Sequence, residues 1–200
     1  MSVLIQVNQW GTIMKLKINE RPLTKKSGLK QLRREGNIPV ILYCEGRSNE
    51  QFSINGAEFS AILRQIKPGH LSTTVFHLNL NGKDRKAIIK DIQYQLTTYS
   101  VFHIDFEELV HDLPISIKVP IQCIGIAECE GIKAGGFLRQ VIRHVKVECL
   151  PGHIPQTFLI DVTNLGIKQV KRLADITMPK GVKPLAKMDE VVVVIAKRST

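Results

Sequence analysis

In the second half of the chain, apolar and polar residues alternate one for one. Ile115, Ile117, Val119 and Ile121 are interleaved with Ser116, Lys118, Pro120 and Gln122, the two-residue period of a strand with one buried and one wet face. Val145, Val147 and Cys149 repeat the pattern, and Phe158 to Val162 and Glu190 to Ala196 add β-branched runs. Pro and Gly punctuate the joins. Residues 107–200 therefore read as a mostly β domain, with short helical candidates only at 165–170 and 171–176. The glycines at 131, 135 and 136 read as turn residues.

The first half mixes two periods. Leu16 and Ile18 alternate with Lys15 and Lys17 as a short strand. Thr24 is placed to cap a helix with apolar positions Leu29 and Leu32, ended by Gly36. Gly28 inside its first turns costs about 1 kcal/mol relative to Ala, so this start is the weak part of the helix. Ile38 to Tyr43 is a β-rich run with Pro39 near its beginning, where a missing N–H is tolerated. Asn55 then caps a second helix that buries Phe59, Ile62, Leu63 and Ile66 and closes at Pro68-Gly69. Val75 to Leu80, the turn pair Asn81-Gly82 and Arg85 to Gln95 form a hairpin, and Val101 to Phe106 adds a further strand. The fold class is mainly β with α (α+β). Residues 14–106 form a first domain with two helices and residues 107–200 a mostly β second domain. Residues 1–13 are an extension: translation begins instead at Met14, or the segment adds a short strand or a disordered arm.

Composition is that of ordinary globular chemistry, 44% hydrophobic and 23% charged over 200 residues. No apolar run reaches the roughly 18 residues of a membrane span, so no membrane association is expected, and the chain reads as soluble and cytoplasmic. Cys44, Cys123, Cys129 and Cys149 lack metal-ligand spacing and read as reduced, mostly buried thiols, with no metal and no cofactor implied. The net charge of +10 is uneven, with 15 basic and 8 acidic side chains in residues 1–105 against 13 and 10 in the remainder.

The charge is densest at residues 15–34, which hold eight Lys or Arg against the single acid Glu20. Such a run suits a polyanion, because each phosphate neutralised releases counterions; the plainer alternative is a solvated helix face. At about 100° per residue, Lys26, Lys30 and Arg33 fall at about 0°, 40° and −20°, while Leu29 and Leu32 lie at about −60° and −120°. One face packs and its neighbour is a basic stripe. Lys90, Gln93, His103 and Asp105 are residue types that read RNA grooves from a rigid surface. Taken singly, they also fit a solvated lysine, a cross-strand partner, a satisfied core histidine and a turn acid. The P-loop spacing is absent, the glycines near 131 lack a dinucleotide-binding context, and no small-molecule substrate is indicated. The one enzymatic alternative is a thiol group of Cys44, His103 and Asp105.

Four motifs occur in order: Arg21; Lys26-Ser27-Gly28-Leu29-Lys30-Gln31-Leu32-Arg33-Arg34-Glu35-Gly36-Asn37-Ile38-Pro39-Val40-Ile41-Leu42-Tyr43; Lys90-Asp91-Ile92-Gln93; and His103-Ile104-Asp105-Phe106. Together they resemble the bacterial large-subunit ribosomal protein family that binds 5S ribosomal RNA, known also as general stress protein Ctc. Residues 107–200, with Gly131 to Gly136, Cys149-Leu150-Pro151, Asp161-Val162 and Met178 to Val182, resemble the C-terminal domain of its long form. The resemblance implies a small N-terminal β-barrel that grips the widened minor groove of the 5S internal loop. Arg21, Lys26, Lys30 and Arg33 would meet phosphate and groove edge, Tyr43 would pack at the strand surface, and Lys90, Gln93, His103 and Asp105 would line the groove. It implies a non-catalytic constituent of the large ribosomal subunit, with neighbouring ribosomal protein or RNA on the second domain. The alternative usage is a stress-regulated factor that docks on the ribosome conditionally. The chain departs from the family's usual pattern at Lys25-Lys26-Ser27, Tyr43-Cys44 and Gln95-Leu96.

Overall fold

A computed structural model describes residues 6–8, 11–21, 26–44, 46, 48–80 and 82–197. The chain divides into two compact units, Met1–Leu113 and Pro114–Thr200.

The first unit is built on one eight-stranded sheet that curls into a nearly closed barrel. Its strands are β1 (Gln6–Asn8), β2 (Gly11–Lys17), β3 (Asn19–Glu20), β4 (Asn37–Tyr43), β5 (Glu50–Asn55), β6 (Val75–Leu80), β7 (Lys83–Tyr94) and β8 (Val101–Glu108), in the spatial order β1-β2-β6-β7-β8-β4-β5-β3. The β2–β6 and β4–β8 pairs are parallel, and the others antiparallel. The inward positions Leu16, Val40, Phe52, Phe76, Leu78, Ile104 and Phe106 are all buried. Phe76 and Phe106 meet edge to face with ring centres 5.5 Å apart and planes at 72°, a favoured arrangement for two aromatic quadrupoles.

Two helices are laid on this barrel. In α2 (Gly56–Gln65) Phe59 and Ile62 are buried, with Leu63 and Ile66 partly so. Its start is fixed as the sequence predicts, since Asn55 Oδ1 accepts from the backbone N–H groups of Ala57 (2.9 Å) and Glu58 (3.1 Å). Helix α1 (Lys26–Arg34) runs through Gly28 and ends where Gly36 takes φ +80°, a conformation that a Cβ would oppose. Thr24, the expected cap, lies outside the described residues, as does Asn81 of the predicted hairpin turn. No residue of α1 is fully buried, so Leu29 and Leu32 rest on the barrel without entering it.

The extension supplies β1, paired with the beginning of β2. Strand β8 continues past Phe106 to Glu108, placing Glu107 on the same strand as His103 and Asp105.

The second unit contains β9 (Ile115–Ile124), β10 (Gly136–Gln140), β11 (His144–Cys149), β12 (Phe158–Asp161), β13 (Val170–Arg172), β14 (Val182–Pro184) and β15 (Val191–Lys197). They form a four-stranded sheet, β12-β9-β11-β14, and a three-stranded sheet, β10-β15-β13. The alternation of β9 holds at Ile115, Ile117, Val119 and Ile121, all buried, but Pro120 on the expected wet face is buried as well. The predicted helix at 165–170 is a turn leading into β13, because its backbone is taken by β15: Lys168 N–H donates to Ile195 O at 2.8 Å and Ile195 N–H to Gln169 O at 3.1 Å. The 171–176 stretch keeps one 3₁₀ turn, Leu173–Asp175. The one α-helix among the described residues of this unit is α3 (Glu130–Lys133), where the sequence reading places turn glycines. A Cβ at Gly131 would stand 2.7 Å from Leu165 O and 2.8 Å from Ile195 Cγ2, so here glycine serves close packing.

Candidate nucleic-acid interface

Strand β8 is the spine of the site. Because side chains alternate along a strand, Ile104 and Phe106 enter the core while His103, Asp105 and Glu107 share the outer face. On β7, Gln93 stands opposite His103 and Asp91 opposite Asp105. On β4, Ile41 stands beside Asp105 and Tyr43 beside Glu107. The β7–β8 register shifts between Ile89 and Asp91, leaving Lys90 as an extra residue. A bulge of this kind re-aims a side chain, and Lys90 Nζ lies 2.7 Å from Glu107 Oε2.

The cationic end of this face is a cluster of four predicted residues. His103 Nδ1 lies 3.0 Å from Asp105 Oδ1, so the two same-face neighbours do touch. Arg21 donates through Nε to Phe52 O at 3.0 Å. Arg33 comes down from the last turn of α1, donates through Nε to Phe102 O at 3.3 Å, and holds its guanidinium carbon 3.5 Å from the centre of the Phe102 ring. Burial lowers the pKa of both arginines, and the charge of Arg21 lowers that of Arg33 further. The pKa of His103 is lowered, chiefly by burial and also by Arg21 and Arg33, against the opposing pull of Asp105. The imidazole of His103 therefore lies within the electrostatic reach of Arg21, Arg33 and Asp105. Two half-buried guanidiniums beside a neutral imidazole and one carboxylate leave a positive, partly desolvated surface, where a phosphate is attracted more strongly than at a fully solvated lysine.

The predicted basic stripe splits. Arg33 folds onto Phe102, whereas Lys26 and Lys30 remain exposed on α1. Arg21, Arg33, Gln93, His103 and Asp105 are gathered; Lys90 and Tyr43 sit at the Glu107 end of β8, about 13 Å along the strand from His103 and about 7 Å from Asp105. Sequence reasoning missed Phe102 and Glu107. Glu107 was open to view, two residues beyond Asp105 at strand period. Phe102 was not, because the second register shift in β7–β8 brings it out against the alternation.

The thiol alternative fails on geometry. Cys44 is buried and follows Tyr43, whose partner is Glu107, so it stands roughly 13 Å or more along the strands from His103. Burial raises the Cys123 thiol and pushes that of Cys149 up to about 11, the opposite of activation. Among the described residues no group of three His, Cys, Asp or Glu is placed to hold a metal ion, and no helix is long and apolar enough to cross a membrane.

Comparison with known proteins assigns the two units separately. Residues 16–106 match the model of the Ribosomal L25p family, and residues 114–199 match that of the ribosomal protein TL5 C-terminal domain. The large ribosomal subunit protein bL25 of Chlamydia pneumoniae is 42% identical over 185 residues, which are 92% of this chain and 100% of that protein. The proteins of the same name from Chlamydia muridarum and Chlamydia trachomatis serovar L2 are each 43% identical over the same extents. Both matched domains are those of ribosomal proteins. The chain belongs to the ribosomal L25p family, in a form with the TL5-type second domain.

Proposed function

We propose that the first unit binds the internal loop of 5S ribosomal RNA through the outer face of β7, β8 and β4 together with α1. The chain would act there as a structural protein of the large ribosomal subunit. Membership of a ribosomal protein family, with relatives named for the large subunit, supports the ribosomal role and a non-enzymatic one. The second unit would contact neighbouring ribosomal protein or RNA.

The observation that carries the RNA reading is the convergence of Arg21, Arg33, His103 and Asp105 from three separate stretches of sequence onto one barrel face, with Gln93 in register. Guanidiniums take phosphate oxygens, and an amide, an imidazole and a carboxylate on a rigid sheet match the 2′-hydroxyls and base edges of a shallow RNA groove. Lys26 and Lys30 add exposed charge next to this face.

The test is equilibrium binding of the full chain to 5S ribosomal RNA over a salt series. The expected result is a linear fall of log affinity with log salt and a preference for the native over a scrambled internal loop. Equal affinity for both RNAs would refute the reading.

A further inference from the structure

At the end of the barrel beside Arg33, a groove of about 340 Å³ opens between the end of α1, the start of α2 and the loop joining β7 to β8. Its walls include Tyr94, Tyr99 and Phe102, with Ser60 and Asn37 as neutral polar groups. Among the described residues, Arg33 is the one charged side chain in its lining. Tyr94 is 49% exposed and Tyr99 81%, far more than packing would leave two tyrosines.

The loop that presents them is ordered by its own hydrogen bonds. Gln95 N–H donates to Ser100 O at 2.8 Å, Tyr99 N–H donates to Gln95 O at 2.9 Å, and the hydroxyls of Thr98 and Ser100 are 2.7 Å apart. Tyr99 itself has φ +53°, a left-handed conformation that a Cβ disfavours. Strain of this kind persists where the surroundings impose it, and it clusters at ligand clamps. The hydrogen bonds on either side hold the exposed Tyr99 in place.

We propose that this groove receives an unstacked nucleobase of the same RNA, stacked against Tyr99 and Tyr94. The inference rests on the interface reading above, and continuity favours it: Phe102 and Tyr94 are the chain neighbours of His103 and Gln93, and Arg33 belongs both to the cationic cluster and to the groove wall. A cation with neutral hydroxyl and amide groups suits a base attached to a phosphate backbone, and aromatic faces accept any base.

The experiment measures full-chain affinity for 5S ribosomal RNA over a salt series for wild type, Tyr94→Ala, Tyr99→Ala, Tyr99→Trp and Arg33→Ala. Each tyrosine-to-alanine change should weaken binding by roughly 5- to 150-fold with the salt slope unchanged, since stacking releases no counterions. Tyr99→Trp should bind at least as well as wild type, and its added tryptophan emission should be quenched by the RNA. Wild-type affinity in both alanine variants, or unquenched emission, overturns the groove proposal. If Arg33→Ala still weakens binding in that case, the interface reading survives without the groove. If Arg33→Ala also binds as wild type, the interface reading falls with it. Full RNA affinity combined with failure of the tyrosine variants to enter ribosomal subunits would assign the groove to a protein partner, and that also overturns the proposal.

Discussion

Arg33 holds its guanidinium carbon over Phe102, 3.5 Å from the ring centre, and donates to the carbonyl of that same residue. One side chain thereby clamps the last turn of α1 to β8, and the stacked guanidinium is held in a fixed plane. Arg33→Lys would keep the charge and lose the plane. We expect a salt slope equal to that of wild type but weaker affinity for 5S ribosomal RNA, while Arg33→Ala should lose both affinity and slope. Equal affinity of Arg33→Lys and wild type would show that charge alone acts at this position.

Lys26 and Lys30 are exposed on the same helix and take no part in the clamp. Lys26→Ala and Lys30→Ala should each reduce the magnitude of the log–log salt slope by roughly 0.7 to 0.9 if each makes one full phosphate contact. Unchanged slopes in both variants would return the basic run to a solvated helix face.

Acid should destabilise the first unit through its histidines. His103 and His77 both have pKa values lowered from 6.5, with burial the largest cause in each; Lys86 and Lys15 lower His77 further while Asp84 opposes them. As pH falls below about 6.5 the unfolded chain takes up these protons before the folded chain does, so stability is full above that pH and declines through the window beneath it. The melting temperature of the free protein, measured from about pH 8 down to about pH 5, should fall less in His103→Gln than in wild type. An identical fall in the two would exclude His103 as a source of the dependence.

The thiols should be inert in the folded chain. Cys149, pushed up to about 11 by burial, and Cys123, raised by the same cause, should resist alkylation at neutral pH and react once denaturant is added. Rapid labelling of the native protein at either position would contradict the burial described.

Much of this architecture is legible in the order of residues, and the failures have physical causes. Asn55 as a cap, the antiparallel pairing of Val75–Leu80 with the return strand and the buried apolar positions of β9 and β11 are local signals, and each is found where the sequence puts it. Strand β5 was missed although Phe52 and Ile54 alternate correctly. The parallel pairs β2–β6 and β4–β8 join stretches far apart in sequence, which periodicity cannot link. The helix expected at 165–170 lost to the hydrogen bonds of Ile195. In the site, alternation was enough to put His103 and Asp105 on one face. The bulge that turns Lys90 towards Glu107 and the descent of Arg33 onto Phe102 arise only when strands and helix meet.

Inward and outward residues of β8 should separate cleanly in mutation. Phe106→Ala removes one half of the edge-to-face pair with Phe76 and should cost about 3–5 kcal/mol of stability, and Asn55→Ala should cost about 1 kcal/mol through the lost cap, both read by chemical denaturation. A negligible loss for Phe106→Ala would mean that the barrel core is not packed as described.

The central claim is that the outer face of the barrel recognises the 5S internal loop, and its most direct test is selectivity. Affinity of the full chain for 5S ribosomal RNA is measured against that for a scrambled-loop control, in wild type and in Gln93→Ala, His103→Ala and Asp105→Ala. Each substitution should cost about 1 to 3 kcal/mol on the native RNA and almost nothing on the control, so the ratio collapses while the salt slope holds. If His103→Ala instead lowers the melting temperature sharply and leaves the ratio unchanged, His103 is a structural residue of the barrel, and recognition does not take place on this face at its position.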